Sequence, residues 1–154
     1  MAVTTLAIIK PDAIATGKAG AIVAHLQDEG FTLRAARLVR LNRPQAEKFY
    51  EVHRGRPFFD DLVAFMTSGP CLPMALERND AVQYLRTVIG ATDPAEAADG
   101  TVRKLYAESK GRNAIHASDS LENAVREVGF FFSEGEIAGL WTGAPAKPVA
   151  EASR

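Results

Sequence analysis

The residues best equipped for chemistry lie in Asn113-Ala114-Ile115-His116-Ala117-Ser118-Asp119-Ser120, where an imidazole precedes a cluster of hydroxyls and a carboxylate. Two readings compete. Ser118, Asp119 and Ser120 are all good N-cap residues for an amphipathic helix beginning near Leu121, and capping accounts for most of the stretch. The alternative is phosphate work, because helix N-termini attract anions and an imidazole just outside one can act on them. Further candidates are scattered along the chain. Lys10 closes a first strand, Arg86 sits on the polar side of a helix, and Thr92 and Arg103 lie in a long connection. Side chains on such connections are freer to meet a ligand. Phe58 and Phe59 read most simply as a core pair, although an aromatic at a helix start can stack on a base. His25 and His53 read as surface residues. Taken singly, each candidate has an ordinary structural explanation.

Several familiar devices are absent. Gly17-Lys18 is followed by Ala19 instead of a hydroxyl, and Asp12 stands where a phosphate loop needs its first glycine. No dinucleotide fingerprint occurs, and the carboxylates and histidines lack metal-ligand spacing. A nucleotide would therefore be held by side chains, with no glycine cradle and no built-in metal site.

The elements that must position these groups follow from periodicity. Residues 4–9 form a β-branched, apolar strand stopped by Pro11. Residues 19–29 carry Ile22, Val23 and Leu26 at helical spacing and stop at Gly30. Residues 31–41 alternate imperfectly and read as one long strand. Asn42 caps a helix starting near Pro44, and Pro57 opens a second one through Leu62 and Phe65. Residues 71–76 read as a strand in which Pro73 argues for an edge or a bulge. Val82, Leu85 and Val88 mark a helix ending at Gly90. Residues 91–112 are weakly patterned, which in a small domain points to a functional or assembly loop. A short strand ending at Ile115 and a helix over 121–131, with Ala124, Val125 and Val128 inward, complete the order. This is a βαββαβ plan over one sheet, whose second face is left for partners or more helices.

The 154 residues suit one domain with a single core. The formal charge of -1 and the lack of a basic stripe argue against nucleic acid as a partner. Cys71 stands alone, so no intramolecular disulfide forms. The apolar run before Lys10 is far too short for a signal or membrane span, which makes the cytoplasm the expected compartment.

What binds the scattered candidates together is their order. Ile8-Ile9-Lys10-Pro11-Asp12, Arg56-Pro57-Phe58-Phe59, Ser68-Gly69-Pro70, Gly90-Ala91-Thr92-Asp93-Pro94, Gly100-Thr101-Val102-Arg103 and the 113–120 segment follow one another. In that arrangement the chain closely resembles the nucleoside diphosphate kinase family over about residues 4–137. The resemblance implies an α+β fold, a ferredoxin-like βαββαβ sandwich with a four-stranded antiparallel sheet. It implies one such domain over residues 1–140, with 141–154 a loosely ordered C-terminal tail.

The resemblance also implies roles. His116 would take the γ-phosphoryl group from a nucleoside triphosphate such as ATP and pass it to a diphosphate such as GDP, in a ping-pong exchange through a phosphohistidine. Glu127, two helical turns beyond Ser120, would hold the other ring nitrogen, with Ser118 close by and Tyr50 near the nucleophile. Arg86 and Arg103 would clamp phosphate oxygens, Thr92 would donate a hydroxyl, and Lys10 and Asn113 would bond ribose and phosphate. Phe58 would stack on the base and so tolerate many bases. Mg²⁺ would arrive on the phosphates, and the protein would assemble as a homotetramer or homohexamer through the loop over 92–113. Rival readings are a silent nucleotide-sensing or nucleic-acid-binding member and a purely structural oligomer. Ala117 in place of a glycine, the run Lys104-Leu105-Tyr106, Pro73 and the tail depart from the family pattern.

Overall fold

Alternation along the first strand explains how the chain comes to fill both sides of a single sheet. The computed structural model describes residues 2–138; the tail expected over 141–154 lies outside the described residues. In chain order the elements are β1 (Ala2–Ile9), α1 (Pro11–Ala15), α2 (Ala19–Asp28), β2 (Thr32–Ala36), α3 (Arg43–Phe49), a 3-10 turn (Glu51–His53) and α4 (Phe59–Met66). They continue with β3 (Leu72–Asn79), α5 (Ala81–Ile89), α6 (Val102–Tyr106), β4 (Ile115–Ala117), α7 (Leu121–Phe131) and α8 (Glu134–Ala138). The strands lie in the order β2-β3-β1-β4, every neighbouring pair antiparallel. This is the ferredoxin-like sandwich, with α3 and α4 inserted between β2 and β3.

Successive residues of β1 point to opposite faces. Ala7 and Ile9 join Met74 and Leu76 of β3 and are covered by Ile22 and Leu26 of α2 and Leu85 and Ile89 of α5. Leu6 and Ile8 face the other way, against Phe49 of α3, Val63 and Met66 of α4, and Phe132. Of the two occupants expected for the second face, partners or more helices, it is this chain's own helices that close it. Each of these fully buried aliphatic side chains contributes roughly 1.5–3 kcal/mol of transfer free energy, which ties β1 into both layers at once.

Three expectations are corrected. Pro73 lies in β3, between β2 and β1, not on an edge. In an antiparallel strand each residue turns its N–H and C=O to the same neighbour, and Arg37 N–H donates to the Pro73 carbonyl at 3.2 Å. The missing proline N–H thus faces β2, so only that ladder loses a rung. The long strand read over 31–41 also breaks: a bulge lies between Leu33 and Ala35, β2 ends at Ala36, and pairing resumes as an isolated bridge between Val39 and Cys71. Finally, Val125 is 69% exposed. The inward face of α7 is Ala124, Glu127 and Val128, at the i, i+3, i+4 spacing that shares one side of a helix; Val125 is turned about 100° from Ala124. Residues 91–112 hold α6, opened by the Thr101 side chain accepting from the Lys104 N–H. Among the described residues no helix is long and apolar enough to cross a membrane.

Candidate active site

The two readings of the 113–120 segment turn out to be compatible. Ser120 caps α7, its hydroxyl accepting from the Asn123 N–H at 3.1 Å, and Asp119 accepts from the Asn123 side chain at 2.6 Å. Ser118 does something else. Its hydroxyl donates to Glu127 Oε1 at 2.8 Å, and the same carboxylate oxygen lies 2.6 Å from His116 Nε2.

β4 places the imidazole. It pairs with β1 so that His116 stands opposite Ile8, while Ile115 and Ala117 stand opposite Ile9 and Ala7. The flanking side chains enter the first core, where the Ala117 methyl is buried. His116 points to the other face, edge-on to Phe49 and Tyr50 with ring centroids 5.5 and 6.0 Å away. The Tyr50 hydroxyl is buried without a hydrogen-bond partner among the described residues, and burial pushes its pKa up.

Glu127 is 5% exposed. Burial alone would push its carboxyl up, but the bonds from His116 and Ser118, helped by the charge of Arg126, outweigh this and hold it below the ordinary glutamate value. An ionised carboxylate only accepts hydrogen bonds, so the imidazole must carry its proton on Nε2. In the neutral ring the lone pair is then on Nδ1, the tautomer a nucleophile needs.

A second group gathers the ligand candidates. Lys10 Nζ donates to Asn113 Oδ1 at 2.9 Å, and Asn113 Nδ2 donates to the Thr92 carbonyl at 3.2 Å. Burial, then the charge of Arg103, lowers Lys10 to about 8 against the opposing pull of Asp12. Arg103 is buried on α6, its Nη1 donating to the Gly90 carbonyl at 3.0 Å and its Nη2 to the Ile115 carbonyl at 2.7 Å. Burial and the neighbouring Arg86 lower it to about 10. Arg86 is exposed on α5.

Two clefts meet at Thr92. One, of about 380 Å³, is lined by Arg86, Thr92 and Arg103; the other, of about 670 Å³, by Lys10, Phe58, Leu62, Phe65, Thr92 and Lys110. The first is a cationic pocket for an anion, the second a mostly apolar slot for a flat group. Phe58 and Phe59 are not the core pair of the simplest sequence reading: Phe59 is buried, whereas Phe58, at the helix start, is 46% exposed at the slot. The arginines thus lie on one side of Thr92 and the aromatic on the other, where Lys10 shares its slot, and the buried Asn113 ties Lys10 to the Thr92 carbonyl.

Comparison with known proteins decides the family. A family model described as Nucleoside diphosphate kinase matches residues 3–137. The chain belongs to the nucleoside diphosphate kinase family. It is 58% identical over 134 residues to the nucleoside diphosphate kinase of Sorangium cellulosum, covering 87% of this chain and 93% of that one. It is 55% identical to that of Phenylobacterium zucineum, covering 88% and 97%. Among solved structures, a crystal form of the Aquifex aeolicus enzyme superposes with a TM-score of 0.87 at 45% identity, over 88% of this chain and 99% of that one. A halophilic family member from Halobacterium salinarum, solved in complex with CDP, gives 0.85 at 34% identity over 99% and 97%.

Asp12 and Gly90 were missed as site residues by sequence reasoning. Asp12 is 3% exposed, and its Oδ2 accepts the Ala114 N–H at 3.0 Å. Gly90 has φ 89°, and a Cβ there would come within 2.5 Å of Thr101 Oγ1; its carbonyl is the one that Arg103 grips. A glycine after a predicted helix reads as a stop signal, so nothing local pointed to the arginine.

Proposed function

We propose that this protein exchanges terminal phosphates between nucleoside triphosphates and diphosphates, with His116 as the group phosphorylated in between. The observation that carries this reading is the Ser118–Glu127–His116 arrangement, which fixes the imidazole with its lone pair on Nδ1. In the first half-reaction Nδ1 attacks the γ-phosphorus of the bound triphosphate. The N–P bond forms as the bond from phosphorus to the β,γ-bridging oxygen breaks, and the diphosphate leaves with that electron pair on its terminal oxygen. The second half-reaction is the reverse with another diphosphate. Because the imidazole becomes cationic as it bonds to phosphorus, the Glu127 carboxylate on Nε2 stabilises the transition state more than the ground state.

Arg86 and Arg103 supply fixed positive charge for the equatorial phosphate oxygens, and Thr92 a hydroxyl. Lys10 and Asn113 would reach the ribose hydroxyls and the phosphates beside them, with Phe58 stacking on the base and Tyr50 beside the nucleophile. A stacked ring reads a π-face and not the base edges, which fits broad base tolerance. Mg²⁺ enters as part of the nucleotide substrate. It would be held by the phosphates themselves, as is usual for a cation that dehydrates reluctantly and is shared with substrate phosphates.

A cytoplasmic homo-oligomer, tetramer or hexamer, completes the proposal. The exposed Leu105 within the loop over 92–113, 52% accessible, is the kind of apolar group such an assembly would cover. Initial rates with ATP and GDP varied together test the reaction. Parallel double-reciprocal lines, lost with His116→Ala while nucleotide affinity stays within about threefold, are expected. Intersecting lines, or turnover surviving that substitution, would overturn it.

A further inference from the structure

We infer that Asp12 is a positioning residue for phosphoryl transfer: its carboxylate clamps a strained turn at Ala114 from which Asn113 and His116 are both set in place. The inference rests on the reading of His116 as the phosphorylated group.

Ala114 is held in a conformation it does not favour. Its φ is 73°, in the left-handed region where a Cβ is strained. The Ile115 N–H reaches back to the Asn113 carbonyl at 2.9 Å, closing a three-residue turn around it; a turn of this kind with positive φ is rare. Both main-chain polar groups of Ala114 are gripped by the junction between β1 and α1. Its carbonyl accepts the Lys10 N–H at 2.8 Å, and its N–H donates to Asp12 Oδ2 at 3.0 Å. The residue is fully buried, so water cannot replace either partner.

Asp12 bears a cost for this. Its Oδ1 is buried with no hydrogen-bond partner among the described residues, a situation that proteins avoid unless something offsets it. What the carboxylate gains is leverage. Asn113, on one side of the turn, bonds Lys10; on the other side β4 begins and carries His116 two residues later. Releasing Ala114 to an ordinary φ would re-aim both. The same carboxylate favours the charged form of Lys10, opposing burial and Arg103. One side chain thus sets the geometry of the nucleophile and supports the charge of the lysine beside the phosphates.

The two jobs separate in single-turnover phosphorylation of the full chain by MgATP, read beside thermal stability and the pH profile of ADP affinity. Asp12→Ala is expected to slow phosphorylation about tenfold or more, since small misplacements of reacting groups are costly. Adding Ala114→Gly to that variant restores most of the rate, because glycine takes a positive φ without strain. Asp12→Asn keeps an acceptor for the Ala114 N–H and therefore most of the rate, but it moves the alkaline midpoint of ADP affinity to lower pH. The inference is overturned if Asp12→Ala phosphorylates within about twofold of the parent or if Ala114→Gly gives no rescue. Should Asp12→Ala not fold, the Asp12→Asn rate decides: a loss of about tenfold or more with the Ala114 N–H still offered an acceptor overturns the inference. A parent protein that never becomes phosphorylated refutes the nucleophile reading itself, a result distinct from any of these.

Discussion

Replacing Glu127 by glutamine removes a charge while keeping a shape, which makes it the sharpest probe of the ring-nitrogen argument. The amide oxygen can take the place of Oε1 and still accept from Ser118 and from His116 Nε2, 2.8 and 2.6 Å away. The amide N–H₂ then falls where Oε2 was, 3.4 Å from Arg126 Nη2, and that contact is lost. The rate effect follows from Coulomb's law. Two unit charges about 4 Å apart attract by about 4 kcal/mol at an effective dielectric of 20. If the imidazole carries about half a charge at the transition state, the carboxylate supplies about 2 kcal/mol there, or roughly thirtyfold in rate. Glu127 lines neither cleft, so nucleotide affinity should stay within about threefold of the parent. Rapid-quench measurement of His116 phosphorylation at saturating MgATP reads the first quantity, and ADP titration of the unphosphorylated protein reads the second. A phosphorylation rate unchanged within about twofold would refute the claim that this carboxylate steadies developing charge. So would a loss confined to nucleotide affinity.

Other perturbations test other parts of the site. Phe58→Ala should weaken ADP and GDP binding by a similar amount, about 1–2 kcal/mol from lost stacking; calorimetric titration showing a new preference between them would contradict the stacking role. Gly90→Ala puts a Cβ into Thr101 and forces an unfavourable φ, costing about 1–3 kcal/mol of stability and disturbing the carbonyl that Arg103 grips. A denaturant midpoint and turnover both unchanged would show that α6 absorbs the methyl freely. Lys10, lowered to about 8, is charged below that pH and neutral above it, so affinity for nucleotide phosphates is full on the acid side and declines as pH rises through 8. Phosphate favours the charged form, so binding above pH 8 takes up a proton. Calorimetry in buffers of different ionisation enthalpy should detect that uptake, and Lys10→Met should abolish it.

The legibility of this fold in its sequence was uneven for reasons that particular residues make plain. β1 was readable because its apolar residues serve both sheet faces, and α5 because Val82, Leu85 and Val88 keep strict helical spacing. α1, α6 and α8 were not readable, since five-residue helices offer too few turns for a period to register. Pro73 misled because the rule against interior proline concerns a lost N–H, whereas here that N–H would have faced a strand already ending. Val125 misled because a charged residue, Glu127, occupies the inward position that apolar patterning would assign elsewhere on α7. In the site, the pairing of Lys10 with Asn113 across 103 positions of chain and the hold of Arg103 on Gly90 depend on tertiary contact alone. Asp12 was hidden for the same reason: its partner is a main-chain N–H, which leaves no trace in side-chain spacing.

Phosphorus NMR together with fragment mass spectrometry, on protein mixed with MgATP and freed of nucleotide, bears most directly on the whole account. It should find one phosphoryl group per chain, bonded to Nδ1 of His116 and removed on adding GDP. A chain of unchanged mass, or phosphate on Nε2 or on another residue, would contradict it.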